Sequence, residues 1–313
     1  MLFKTSLVID LVMKASRRHF LKSSLPASIA FSSLGLGNVA HAIEPIKRAG
    51  ASRFLLSLAA YSFRTFFSSK DPAKQLDLFK FIDYCADHDC DGAELTAYYF
   101  PKDLTDDYLI KLRRHAFLRG IAISGSAVGN NFALPNGEKR DEQIRYVKTW
   151  VDHAAVLGAP HIRVFAGAAQ GISDGEARKM CVSAMEECCD YAGKKGIFLG
   201  LENHGGIVAE ADGLLEIIKA IKSPWLGINL DTGNFHTEDP YADLAKIAPY
   251  AVNVQVKAVI HPRDKEAAPV DMPRLFKILR EANYQGYVAL EYEAKDPYEA
   301  IPGLLKELKK FTV

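Results

Sequence analysis

Ile197-Phe198-Leu199-Gly200-Leu201-Glu202 is a short apolar run closed by an acid, and after the amphipathic segment Ala209 to Ile221 comes a second, Leu226-Gly227-Ile228-Asn229-Leu230-Asp231, closed the same way. A continuous apolar run, a helix-period segment and another apolar run are the pattern of two parallel strands joined by a helix. The unit recurs in both directions along the chain. The strand candidates are Leu56 to Phe63, Gly92 to Leu95, Ile121 to Ala127, His161 to Phe165, Ile197 to Glu202, Leu226 to Asp231, Val252 to Lys257 and Tyr287 to Glu291. The helical patterns that follow them are Pro72 to His88, Asp106 to Arg119, Glu138 to Leu157, Asp174 to Lys195, Ala209 to Ile221, Tyr241 to Ile247, Asp271 to Ala282 and Pro297 to Lys310.

Gly120, Gly158, Gly196 and Gly286 stand just before the next strand, where a left-handed turn ends a helix. Eight uninterrupted strand-helix units predict an α/β fold, a single TIM (β/α)8 barrel over residues 43–313. The alternative, an open doubly wound sheet, wants a glycine-rich phosphate loop after the first strand, where this chain has Tyr61-Ser62-Phe63-Arg64-Thr65-Phe66.

Residues 1–42 read as an export signal. Ser16-Arg17-Arg18-His19-Phe20-Leu21-Lys22 resembles the twin-arginine motif, and the apolar stretch Leu25 to Val39 leads to the small-x-small site Ala40-His41-Ala42. The long lead before the arginines makes Met13 an alternative start. The expected location is the periplasm, reached through the twin-arginine export machinery, with no stable membrane span in the mature chain because the apolar stretch is short and glycine-rich. The 39 basic and 38 acidic residues leave a formal charge of +1, which gives no global field for nucleic acid or an anionic membrane and points to a small ligand of little charge. Cys85, Cys90, Cys181, Cys188 and Cys189 lack zinc-finger spacing and fall in helical patterns, so they are expected as packing residues, although an oxidising compartment would permit a disulfide.

In such a barrel the chemistry sits at the C-terminal strand ends. Those ends carry Glu94, Arg163, Glu202, Asp231, Gln255, Lys257 and Glu291. A single Glu at a strand end is ordinarily a loop residue or a salt-bridge partner, but converging carboxylates at the ends of apolar strands repel one another and lose water unless a cation or protons offset them. Glu202, Asp231, Gln255 and Glu291 together form a hard, oxygen-only set suited to one divalent ion, Mn2+ or Mg2+ first and Co2+ or Zn2+ as further candidates. Glu293 shares a face with Glu291 and competes for the same role; Glu291 is preferred because it closes the apolar run Tyr287 to Leu290.

Leu201-Glu202-Asn203-His204, Leu230-Asp231-Thr232-Gly233-Asn234 and Ala289-Leu290-Glu291-Tyr292-Glu293, in this order, resemble the sugar phosphate isomerase/epimerase family of xylose-isomerase-like TIM barrels. The resemblance implies Glu202, Asp231 and Glu291 as metal ligands and Glu202 with Glu291 as an acid-base pair. On the seventh strand many members place a His two residues before the Lys; this chain has Gln255 before Lys257, as some dehydratase-like members do, so ligation survives while a simple epimerase assignment is loosened.

The expected activity is that of a metal-dependent isomerase or epimerase of a small sugar or keto-polyol, in which a base takes the proton next to a carbonyl and an enediolate forms. The alternatives are a dehydratase or lyase on a keto-sugar or cyclic ketone, and a sugar-binding barrel without catalysis. His204 is a further candidate base, against packing at the site rim. Lys257 is a candidate for holding a substrate oxygen, and Arg163, too costly to leave unpaired in an apolar strand, is expected to meet Glu94 or a substrate oxygen. Glu94 and His236 complete the expected substrate contacts, and Tyr98-Tyr99-Phe100 can either stack on a sugar face or pack against a helix.

Overall fold

The computed structural model describes residues 43–312; the export-signal expectation for residues 1–42 lies outside them. Eight strands, β1 (Arg53–Ala59), β2 (Gly92–Thr96), β3 (Ala122–Ala127), β4 (His161–Phe165), β5 (Phe198–Glu202), β6 (Leu226–Asp231), β7 (Ala251–Lys257) and β8 (Gln285–Glu291), lie in sequence order in a closed barrel. All neighbours are parallel, and the pairing of β1 with β8, from Arg53 opposite Gln285 to Leu58 opposite Leu290, closes the ring. Each strand feeds one principal helix: α1 (Leu78–Asp87), α2 (Asp106–Leu118), α3 (Glu138–Leu157), α4 (Asp174–Lys194), α5 (Ala211–Ala220), α6 (Pro240–Ile247), α7 (Met272–Glu281) and α8 (Pro297–Thr312). This is the expected TIM barrel. Among the described residues no helix is long and apolar enough to cross a membrane.

Period-two alternation divides each strand between two environments. Leu199, Leu201, Ile228, Leu230, Val254, Val256, Val288 and Leu290 are buried in the core cluster that they share with helix residues such as Leu214, Ile217 and Leu275. The alternate residues point into the barrel. A hydrogen bond from Asn253 on β7 to Glu94 on β2 joins two strands that are not neighbours, so it runs through the interior.

The helices begin where local chemistry satisfies their first N–H groups. Thr105 and Asp271 cap α2 and α7, and Ser173 with Glu176 forms a reciprocal capping box on α4. Asp77 accepts from the Lys80 amide, so α1 starts at Leu78 and not at Pro72. The first strand also departs from expectation, running from Arg53 and ending at Ala59. Residues Ala60–Phe63 form a 3-10 turn instead, in which Ser62 Oγ accepts from the Tyr292 amide at 3.0 Å and Phe63 packs on Phe81 and Tyr84.

Gly158 takes the expected left-handed turn (φ 83°) at the end of α3. Gly286 does not serve this purpose. It lies inside β8, while Asn283 supplies the left-handed residue (φ 51°); a side chain at 286 would meet the Tyr284 hydroxyl. A two-residue antiparallel ladder, Val259–Ile260 with Ala268–Pro269, decorates the loop after β7 and was too short to register as a hydrophobic period. All five cysteines are free and buried.

Candidate active site at the barrel mouth

Parallel register brings the expected strand-end residues together. Glu291 lies opposite Lys257, Asp231 opposite Gln255 and Glu202 opposite Asn229, and all of these side chains are buried. Glu291 ends β8 inside the barrel, whereas the Glu293 side chain is 49% exposed.

Two cations meet these acids. Arg163 Nε lies 2.8 Å from Glu202 Oε2 as an ion pair without the alignment of a hydrogen bond, while Nη1 donates to the Val128 carbonyl at 2.8 Å and the guanidinium covers the Phe165 ring at 4.0 Å. Glu94 is therefore not the partner of Arg163. The pairing of Phe165 with Glu202 across β4 and β5 brings the guanidinium to Glu202, and Glu94 instead accepts from Gln255 Nε2 at 2.7 Å and Asn253 Nδ2 at 2.9 Å. Lys257 Nζ pairs with Glu291 and lies 3.0 Å from Glu293 and 3.4 Å from Asp231.

Negative charge remains in excess. Burial, with the nearby Glu291 charge, pushes Glu94 up to about 8. Burial also lifts Glu202 to about 7, against the opposing pull of Arg163, and Asp231 to about 7, against that of Lys257. Burial disfavours the charge on Lys257, but the summed attraction of Asp231, Glu291 and Glu293 outweighs it and holds the ammonium protonated.

A divalent cation fits this donor set on one direct observation: Asp231 Oδ2 is buried and, among the described residues, has no hydrogen-bond partner, only the Lys257 ammonium at 3.4 Å, in a site short of positive charge. Among the described residues no three His, Cys, Asp or Glu side chains close on a single point, since Lys257 lies between Asp231 and Glu291. The expected ligand atom of Gln255, Oε1, accepts from Asn229 at 2.7 Å and keeps its second lone pair.

The remaining expected residues lie at the rim. His204 is exposed and tilts on the Phe165 ring at 4.5 Å; burial of part of the ring and the Arg163 charge lower its pKa, favouring neutral imidazole. His236 is also exposed and stacks on His261 at 5.5 Å, on the loop beyond β6. Of the aromatic run, Tyr99 stacks on Phe67 at 4.1 Å and Phe100 packs on Trp150 at 5.2 Å, while Tyr98 is exposed beside Tyr61. Only Tyr98 is free for a ligand.

Four asparagines escaped the sequence reading. Asn229 and Asn253 occupy the barrel interior two residues before Asp231 and Gln255; Asn234 donates to Glu202 Oε1 at 2.9 Å; Asn203 clamps the end of β6 by accepting from the Asp231 amide at 2.8 Å and donating to its carbonyl at 2.9 Å. The signal for the first two was present in the two-residue period that places them under recognised site residues.

A family model described as xylose isomerase-like TIM barrel matches residues 82–311. No curated protein matches the sequence. Among solved structures, the 3-keto-D-glucoside 4-epimerase of E. coli is 17% identical (TM-score 0.61, covering 83% of this chain and 99% of that one). The IOLI protein, solved with a binding zinc atom, is 18% identical (TM-score 0.64, 83% and 96%). A probable 3-DHS dehydratase from Bacillus anthracis is 16% identical (TM-score 0.61, 82% and 98%). These likenesses are of fold, while the family match spans most of the sequence: the chain belongs to the xylose isomerase-like TIM barrel family.

Proposed function

We propose that this protein is a divalent-metal-dependent isomerase or epimerase of a small sugar or keto-polyol. The observation that carries the proposal is the buried cluster of Glu202, Asp231 and Glu291, in which Asp231 Oδ2 accepts no hydrogen bond among the described residues and faces Lys257 Nζ at 3.4 Å. Glu202, Asp231, Gln255 and Glu291 would hold the ion, with Mn2+ or Mg2+ best suited to oxygen donors. The ion would polarise a carbonyl and offset the negative charge that develops when the neighbouring carbon loses its proton.

Glu202 and Glu291 stand on β5 and β8, with β6 and β7 between them, so one can remove a proton and the other return it on a different side of the bound molecule. Arg163 fixes the orientation of Glu202, and Lys257 steadies Glu291 while reaching the mouth, where a substrate oxygen can exchange for one of its carboxylate partners. Tyr98, exposed at the rim, offers a ring face to the apolar side of a sugar. Crystal structures of family-like epimerases with D-fructose and D-tagatose support the substrate class.

A dehydratase or lyase on a keto-sugar or cyclic ketone is the second reading. It is favoured by His204, a neutral-leaning imidazole next to the Glu202 strand end that can take the proton beside the carbonyl, while the Glu202 carboxyl, lifted by burial to about 7, gives a proton to the departing hydroxyl or alkoxide. Incubation with candidate ketoses and 3-keto-glycosides in deuterated water separates the two. Deuterium at the carbon next to the carbonyl with an isomeric product supports isomerisation; loss of water or of an aglycone supports the lyase; binding with neither leaves a sugar-binding barrel.

Export to the periplasm by the twin-arginine route is part of the proposal. It rests on Arg17, Arg18 and the Ala40-His41-Ala42 site. Replacing Arg17 and Arg18 with Lys should leave precursor in the cytoplasm, and unchanged processing would overturn it.

A further inference from the structure

The barrel interior below the carboxylates holds a closed ring of side-chain hydrogen bonds where apolar residues would be ordinary. Asn253 Nδ2 reaches both Glu94 Oε2 (2.9 Å) and Asn229 Oδ1 (2.8 Å); Asn229 Nδ2 donates to Gln255 Oε1 (2.7 Å); and Gln255 Nε2 donates to Glu94 Oε1 (2.7 Å), completing the circuit. Two branches leave the ring. Gln255 Nε2 reaches Glu291 Oε2 at 2.9 Å, and Asn229 Nδ2 reaches Glu202 Oε2 at 3.3 Å.

The ring has one sense. Turning the Asn229 amide over would set its oxygen against Gln255 Oε1 and Glu202 Oε2, both acceptors, and its nitrogen against Asn253 Nδ2, a donor. Turning Gln255 over would face its oxygen toward Glu94 and Glu291. The carboxylates therefore fix the amides, and the amides in turn fix which atom of Gln255 is directed where.

Asn229 is completely buried and has no access to a bound molecule, yet it touches Glu202 on β5 and Gln255 on β7 from the strand between them. We infer that Asn229 is a positioning residue: by holding Gln255 Oε1 and Glu202 Oε2 in one orientation it assembles the ligand set before a cation arrives. The inference rests on the metal reading above. Without Asn229 the Gln255 oxygen loses the one donor it has among the described residues, and Glu202 Oε2 is left to its ion pair with Arg163 while Oε1 still accepts from Asn234. Partners that orient ligands in this way ordinarily change metal affinity by about 10- to 100-fold when removed.

Calorimetric titration of Mn2+ into metal-free protein tests this without any turnover. Wild type should bind one ion, and Asn229→Leu should bind it roughly 10- to 100-fold more weakly. His161→Leu, in the same interior but outside the ring, should change stability and leave affinity within about twofold. Equal affinity in wild type and Asn229→Leu would overturn the inference. If Asn229→Leu does not fold, Asn229→Ala, which removes the donor to Gln255 and Glu202 without adding charge, decides: weaker binding supports the inference and equal or tighter binding overturns it. Wild type that binds no ion would overturn the metal reading itself, a result visible before any variant is made.

Discussion

Arg163 Nε sits 2.8 Å from Glu202 Oε2, with 6% and 4% of the two side chains exposed. A pair this deep is costly to assemble and costlier to break, because either partner alone is an uncompensated buried charge. Arg163→Met should lower the stability of the folded protein by about 3–5 kcal/mol, measured by urea denaturation at neutral pH. A loss below about 1 kcal/mol would mean that the pair is solvated and that Arg163 does not organise Glu202.

Lys257 presents the opposite case. Its ammonium lies between Asp231 and Glu291, where it repels an incoming cation and occupies two of its ligands. Lys257→Met should tighten Mn2+ binding by roughly tenfold or more, since two positive charges within a few ångströms cost more than 1.4 kcal/mol even at an intermediate dielectric. The same change should reduce turnover by about 10²-fold or more if Lys257 meets charge developing on the substrate. Weaker metal binding in this variant would contradict the placement of the ion.

His161 provides a pH signature unconnected with the proposed ligands. Its ring is buried where Gly125 leaves room for it, and among the described residues Nε2 has no hydrogen-bond partner. Burial lowers its pKa from 6.5 to about 4. Because the folded state resists protonation and the unfolded state does not, the penalty is absent above pH 6.5, grows as pH falls, and is complete below about pH 4, reaching about 3 kcal/mol. The difference in unfolding free energy between wild type and His161→Leu should therefore change with pH across this window. A constant difference from pH 7 to 4 would show that the imidazole titrates normally.

The cysteines should be silent. Burial pushes Cys181 and Cys188 up to about 12, and all five thiols are buried. Ellman's reagent should find less than about one reactive thiol per folded chain and all five after denaturation. Rapid native labelling of several thiols would indicate that α1 or α4, which carry four of them, opens readily.

The barrel was legible because short apolar runs alternate with helix-period segments, and parallel register alone then gathers the polar ends of β5 to β8. What the sequence did not reveal depended on contacts across strands. Arg163 could be seen to need an acid, but the choice of Glu202 over Glu94 follows from the pairing of Phe165 with Glu202, a registration no local pattern encodes. The roles of Asn229 and Asn253 are not encoded locally, because an amide inside an apolar run has no meaning until the opposite wall supplies Glu94. Glu291 and Glu293 share a strand face, and only the end of β8 at Glu291 separates interior from rim. His236, expected as a substrate contact, stacks on His261, a partner on the following loop that no local pattern announces.

The central claim is that Glu202, Asp231, Gln255 and Glu291 bind one divalent ion. The most direct measurement is an anomalous difference map from crystals of the protein grown with Mn2+. One peak within coordination distance of Asp231 Oδ2 and of oxygens from Glu202, Gln255 and Glu291 is the predicted result. A map in which Lys257 keeps its place between Asp231 and Glu291, with no peak there at saturating Mn2+, would contradict it.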